Sequence, residues 1–354
     1  MAVRFRAAAR THLGTVRTNN EDSALASSSL LVLADGMGGH AAGEVASVVA
    51  LRVFAEVGRE PGLDLSEALL QAGRQTRRAL VAMSDADPVL ESLGTTLISV
   101  VVDDDQVLIG HIGDSRVYLL RDSAMYQVTT DHTHVQRLID LGQLTAERAR
   151  THPYRAMLLK SLDDHTPGPD LDIIDLQLQV GDRLLLCSDG LSDYLSAEQI
   201  GAGLAPGGHT EAAEALIEAA LAAGTRDNVT VVIGDVEESA EPVIEDPDFV
   251  GAVGEQIGLS EAAAHALSEA LPALHLDPRA PWQGSGFEAS APTPDAEPAA
   301  DQAPPDSSGP QTAQEQAEPV DPEAGPDLPA VLTSVAAGAF TVVVLVLAAL
   351  FLFS

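Results

Sequence analysis

Leu30-Leu31-Val32-Leu33-Ala34-Asp35-Gly36-Met37-Gly38-Gly39-His40 is the stretch from which the fold can be worked out. Five apolar residues run without interruption into an Asp-Gly pair, then into a glycine-rich turn that ends on a histidine. An apolar run of this length cut short by glycine reads as a buried strand emptying into a tight turn. Asp35 is therefore expected at a strand end, its carboxylate pointing out. The phrase recurs as Leu184-Leu185-Leu186-Cys187-Ser188-Asp189-Gly190, a second apolar strand that ends in Asp-Gly. A third aspartate, Asp227, directly precedes the β-branched run Asn228-Val229-Thr230-Val231-Val232-Ile233. A single Asp-Gly pair after a strand is an ordinary turn, since both residues favour turns. Three carboxylates brought together are different, because like charges a few ångströms apart raise one another's pKa and only a cation among them keeps all three ionised. The expected ligand is a hard divalent metal bound through oxygen.

Four further clusters surround these aspartates: Arg17-Thr18-Asn19-Asn20-Glu21-Asp22, Gly94-Thr95-Thr96-Leu97, Gly113-Asp114-Ser115-Arg116 and Asp131-His132-Thr133. In order and spacing the series resembles the type 2C serine/threonine phosphatases, the metal-dependent protein phosphatase family, in its bacterial form. The resemblance covers about two-thirds of the chain. It implies an α+β fold, a four-layer α-β-β-α sandwich of two packed antiparallel sheets flanked by helices, with the metals in a cleft at one edge of the sheets. It also implies hydrolysis of phosphoserine and phosphothreonine in proteins by a water activated between two metals, in opposition to serine/threonine kinases. The cofactor would be Mn²⁺ or Mg²⁺, two per site or three. Carried over residue by residue, Asp35 bridges both metals and the Gly36 carbonyl completes the second. Asp189 and Asp227 bind the first metal and Glu21 binds near the second, with Asp22 and Asn228 behind the ligands. Asp114, together with Asp189, would hold a third, weaker metal.

Two residues are expected to act on the substrate. Arg17 is the basic residue attached to the N-terminal metal motif, and its guanidinium fork matches phosphate geometry as an ammonium does not. In the family this place holds the phosphate clamp. His40 would stand near the leaving-group oxygen and protonate the departing alkoxide. Cys187, the single cysteine, follows three leucines on an apparent buried strand and reads as structural. His132 also reads as structural, in a motif that fixes a turn.

The remaining pattern places two helices, over 44–59 and 64–83, the second opened by Asp64 with Glu67 as its capping partner. Strands are expected over 97–102, 107–113, 116–121, 170–180, 183–187 and 228–236, with Asp103-Asp104-Asp105 as a hairpin turn. Ser196 and Gln199 cap a short helix, and 211–223 forms an alanine-rich one. Crossover helices are missing between about 94 and 130, which excludes a doubly wound parallel sheet. Residues 131–165 mix arginines and histidines with Lys160, the only lysine, and the resemblance implies that 133–166 is the variable flap beside the cleft.

The composition shifts after 236. Residues 237–329 hold 20 Asp or Glu against one basic residue, Arg279, together with most of the 21 prolines. So acidic and aromatic-poor a segment buries too little apolar surface to offset chain entropy and is expected to be a largely disordered linker. A short amphipathic patch over 256–276 is expected only as a transient helix. The formal net charge of −34 argues against nucleic acid, which demands a basic face. Ala330 to Phe353 carries 24 uncharged residues, about 36 Å as a helix, enough to span a hydrocarbon core. The domains are thus expected as 1–236 phosphatase, 237–329 linker and 330–353 transmembrane helix, a single-pass protein of the cell membrane with its catalytic domain cytoplasmic. Within the span Ala330, Ser334 and Gly338 repeat on one helix face, the pattern of a weak homodimer.

Overall fold

Apolar alternation along the strands decides which face of each meets which neighbour. In β3 (Leu30–Met37) Leu31 and Leu33 point one way, while Leu30, Val32 and Ala34 point the other. In β11 (Arg183–Cys187) Leu184 and Leu186 face the first of these layers, and Leu185 and Cys187 face outward. Every such strand is buried on both faces, which requires something packed on each side. The computed structural model describes residues 2–38, 42–57, 64–103, 106–239, 247–255 and 257–272.

In chain order the elements are β1 (Val3–His12), β2 (Asp22–Ala26), β3, α1 (Ala42–Phe54), α2 (Leu65–Ala86), β4 (Gly94–Thr95), β5 (Leu97–Asp103), β6 (Gln106–Ile112), β7 (Arg116–Arg121) and β8 (Ala124–Gln127). They continue with α3 (His134–Asp140), α4 (Ala146–Ala149), β9 (Leu162–Asp163), β10 (Asp172–Asp175), β11, α5 (Asp189–Ser192), α6 (Ala197–Leu204), α7 (His209–Ala222), β12 (Val229–Glu238), β13 (Asp248–Gly251) and α8 (Glu261–Ala270). One five-stranded sheet runs β1-β12-β11-β7-β8. The other, eight-stranded, runs β10-β6-β5-β3-β2-β13, with β4 and β9 off that path. Each strand pair is antiparallel.

Three apolar layers hold these parts together. Phe5, Leu31, Leu33, Ile98, Leu186 and Val232 fill the space between the sheets. α1, α2 and α8 cover the outer face of the larger sheet, and α5, α6 and α7 cover that of the smaller. This is the expected α-β-β-α sandwich. Helix starts follow the sequence signals. Asp64 accepts from the Glu67 amide at 3.1 Å, and Ser196 with Gln199 forms a complete capping box.

Three expectations need correction. The boundary at 236 falls inside β12, and the chain returns to the core beyond it: β13 pairs with β2, Gly251 opposite Ser23, and covers an edge that would otherwise be open. The patch at 256–276 holds a docked helix, not a transient one. α8 buries Ala263 and Leu267 in the same apolar cluster as α1 and α2, while residues 273–276 lie outside the described residues. The strand expected over 170–180 is only Asp172–Asp175 by pairing with β6, although the Leu176 amide still donates to the Val107 carbonyl at 2.9 Å. Among the described residues no helix is long and apolar enough to cross a membrane. The 330–353 segment and most of the linker lie outside them.

Candidate metal centre

The register of the two sheets carries the predicted residues to one end of the sandwich. Asp22 opens β2 and stands opposite Asp35 near the end of β3. In the other sheet Cys187, the last residue of β11, pairs with Val231 of β12 and with Arg116 of β7. That pairing brings Asp189, Asp227 and Asp114, each just beyond a strand end, to the same edge. The sheets are tied together there by a buried carboxylate. Asp22, 1 % exposed, accepts hydrogen bonds from Thr230 Oγ1 at 2.6 Å and Ser188 Oγ at 3.1 Å.

Backbone crowding explains two of the glycines. A Cβ on Gly36 would lie 2.1 Å from the Gly43 carbonyl oxygen and 2.5 Å from that of Glu21. A Cβ on Gly190 would lie 1.9 Å from the Asn228 carbonyl oxygen. Both Asp-Gly pairs therefore let neighbouring backbone close in beside the aspartate, which no side chain larger than hydrogen allows. The Gly36 amide donates to the Glu21 carbonyl at 3.1 Å. Asn228 holds Glu21 from the other side, its Oδ1 accepting the Glu21 amide at 2.8 Å and its Nδ2 donating to the Asn19 carbonyl at 3.0 Å.

The charges at this edge act on one another. Burial pushes Asp35 well above the usual carboxylate range, and Asp22, Asp189, Asp114 and Asp227 push it further. Asp189 is raised in the same way, by burial and then by Asp114, Asp193, Asp227 and Asp22. Asp114 rises to about 7 through burial and then Asp131 and Asp193. Asp22 rises to about 6, burial outweighing the two hydroxyls that favour its anion. Glu21, almost fully buried, is raised by burial against the pull of Asn19 and Arg17. Arg17 stands over this group. Its Nη2 donates to Asp227 at 2.9 and 3.0 Å, and its Nη1 lies 3.7 Å from Glu21.

Among the described residues no three Asp, Glu, His or Cys groups already form a metal cage. The donor set nevertheless fits divalent cations. Carboxylate oxygens predominate, which suits magnesium or manganese, and Asp35 and Asp189 are disfavoured as anions chiefly by burial and by one another's neighbours, a penalty that a cation among them removes. Cys187 offers no thiolate, since burial lifts its thiol to about 12.

The structure thus brings together Arg17, Glu21, Asp22, Asp35, Gly36, Asp114, Asp189, Asp227 and Asn228, while His40 lies outside the described residues. Sequence reasoning missed Ser188, Thr230, Asn19 and Asp193. Thr230 had a signal, a polar residue alternating inward on an otherwise apolar strand. Asp193 follows Asp189 by one helical turn and pairs with Arg155 at 3.4 Å. The arginine of Gly113-Asp114-Ser115-Arg116 is structural, its guanidinium held by Asp131 through bonds of 2.6, 2.9 and 3.1 Å. His132 fixes the turn before Asp114 by accepting the Gly113 amide on Nδ1 at 3.1 Å.

Residues 15–227 match the family description Protein phosphatase 2C. The serine/threonine protein phosphatase PstP of Mycobacterium tuberculosis is 42 % identical over 291 residues, 80 % of this chain and 55 % of the relative. The chain thus spans about half the length of that relative. The crystal structure of the M. tuberculosis PstP/Ppp phosphatase is 46 % identical with a TM-score of 0.63, covering 66 % of this chain and all of the other. A crystal structure of the PstP catalytic domain in complex with two manganese ions is 45 % identical, with a TM-score of 0.61, covering 67 % of this chain and all of the other.

Proposed function

Because the chain belongs to the protein phosphatase 2C family, we propose that it is a metal-dependent protein phosphatase that hydrolyses phosphoserine and phosphothreonine. One observation carries the reading: Asp35 on β3 of one sheet and Asp189, just beyond β11 of the other, meet at an edge where burial and shared carboxylate neighbours leave their anions in need of a cation. Asp35, the Gly36 carbonyl, Asp189, Asp227 and Glu21 would hold Mn²⁺ or Mg²⁺, and Asp114 with Asp189 a third ion. The metals, when bound, supply positive charge to the phosphoryl oxygens and make water acidic enough to attack phosphorus.

The chain's own residues do the rest. Arg17, half-exposed above the carboxylates, offers a guanidinium fork to the phosphoryl group and neutralises Asp227 until substrate arrives. Ser188 and Thr230 fix the Asp22 carboxylate and so keep the two halves of the site in register. Asn228 sets the backbone at Glu21. His40 is assigned the proton that the serine or threonine oxygen needs as it leaves, on the sequence alone. Replacing Asp35 or Asp189 by Asn tests the assignment. Turnover of a phosphothreonine peptide should fall at least a thousandfold while the circular dichroism spectrum stays that of the wild type; retention of a tenth of the activity would contradict it.

The proposal extends to location. The uncharged 330–353 segment supports a single-pass membrane anchor with the catalytic domain cytoplasmic, where membrane-bound serine/threonine kinases and their targets are the partners. The small residues Ala330, Ser334 and Gly338 support weak pairing of two such helices.

A further inference from the structure

Beside the carboxylate edge, α3, α4 and the segment that follows to Ala156 lean over β7 and α5 and enclose a cavity of about 440 Å³. Asp114 and Asp189 both stand on its wall, so it is continuous with the site described above. Tyr118, Met125, Val135, Ile139, Ala149 and Leu195 supply apolar surface, part of it from the flap and part from the sandwich. A volume of this size lies within the range of small-ligand sites, about 300 to 1,000 Å³.

Two occupants are chemically conceivable, a second phosphate or an apolar side chain, and the partners of the lining arginines decide between them. Arg116 is held by Asp131, Arg155 pairs with Asp193 at 3.4 Å, and Arg150 donates to the Leu195 carbonyl at 3.4 Å. Two of the three lining guanidinium groups are thus paired with the lining carboxylates Asp131 and Asp193, and such pairs offer no net charge to a second anion. An apolar group needs no charged partner, and against Tyr118, Met125 and Ile139 it removes apolar surface from water.

The surroundings point the same way. Nine large apolar residues are exposed among the described residues, and four of them lie on the flap: Leu141 at 59 %, Tyr154 at 58 %, Met157 at 51 % and Leu159 at 45 %. Two more, Leu13 and Val16, lie in the loop that carries Arg17. None of the six lines the cavity itself; they lie on the two segments beside the cleft, where a substrate chain would run.

We propose that the cavity is a subsite for one apolar or aromatic side chain of the phosphoprotein substrate, close in sequence to the phosphoresidue. The inference rests on the phosphatase reading and adds a selectivity to it. An extended peptide advances about 3.3 Å per residue, so a side chain within about three positions of the phosphothreonine is within reach. Ala146 on α4 and Ala197 on α6 line the cavity and are themselves exposed, so each can be enlarged without disturbing a core.

The experiment is a panel of phosphothreonine peptides in which each flanking position carries Leu, Phe, Ala, Lys, Asp or phosphoserine, hydrolysed by the wild-type chain and by the Ala146→Phe and Ala197→Phe variants. The wild type should favour Leu or Phe over Ala at one position by at least tenfold in kcat/KM. Both variants should reduce this preference to about twofold while hydrolysing p-nitrophenyl phosphate within about twofold of wild type. A flat panel, a preference for Lys, Asp or phosphoserine, or selectivity that survives both substitutions would overturn the subsite. Failure of the wild type to hydrolyse even p-nitrophenyl phosphate would overturn it together with the phosphatase reading.

Discussion

Arg17 and Asp227 are joined by a single guanidinium nitrogen that reaches both carboxylate oxygens, at 2.9 and 3.0 Å. The arginine assigned to phosphate is thus held by a carboxylate assigned to metal, and burial of Arg17 is outweighed by that partner, so its pKa is raised. Replacing Arg17 by Ala should raise KM for a phosphothreonine peptide by at least tenfold and change kcat less, because the clamp serves ground and transition states alike. Mn²⁺ affinity should stay equal or rise, since a competing cation has been removed. Steady-state kinetics with calorimetric Mn²⁺ titration decides this; an unchanged KM or weaker metal binding would remove Arg17 from the clamp.

His111 gives a prediction about acid stability. It is buried between the sheets' edge and His132, whose ring centroid lies 4.8 Å away, and burial, with His132 next, lowers it from 6.5 to about 4. Because the unfolded chain then binds the proton more readily, its contribution is intact above about pH 6.5 and lost as pH falls towards 4, by up to about 3 kcal/mol. His111→Phe gives up the Nε2 contact to the Ser115 carbonyl at 3.0 Å and should be less stable at pH 8. It should also lose stability less steeply than wild type between pH 6.5 and 4. Parallel pH profiles in urea denaturation would contradict the assignment.

The extension after β12 is expected to be part of the folded unit. Leu267 of α8 packs into the apolar cluster formed by α1 and α2. Leu267→Ala should cost about 2–5 kcal/mol in a single cooperative unfolding transition. A loss under about 0.5 kcal/mol, or a separate transition for α8, would show that the segment is not docked.

How much of this was legible follows from the range of each signal. The strand ends at Asp35, Asp189 and Asp227 announce themselves locally, by an apolar run meeting Asp-Gly or Asp-Asn. The capping residues Asp64 and Ser196 do the same. β13 did not, because a four-residue strand, Asp248–Gly251, sits in an acidic proline-rich context, and its reason for pairing is the open edge of β2, over 200 residues earlier. The Asp22 hydrogen bonds to Ser188 and Thr230 were likewise invisible, since they depend on how two sheets stack. Composition averaged over 237–329 made the amphipathic patch at 256–276 read as a transient helix, although α8 within it buries Ala263 and Leu267 in the core.

The anchor proposal predicts a separation of location from chemistry. Removing residues 330–354 should move the protein from the membrane fraction to the soluble one and leave kcat/KM on a free phosphopeptide within about twofold. A truncated chain that still sediments with membranes, or that loses peptide activity, would contradict it.

The central claim is that the carboxylates of Asp35, Asp189 and Asp227 act by holding divalent metal, and one measurement tests it most directly. The protein is freed of metal by chelator and exchanged into chelator-free buffer, and hydrolysis of a phosphothreonine peptide is followed as Mn²⁺ is added. The account predicts no turnover without metal, a saturable return of activity with Mn²⁺, and no return in Asp227→Asn at the same concentrations. Turnover that persists in the metal-free protein, or that Mn²⁺ restores equally in Asp227→Asn, would contradict it.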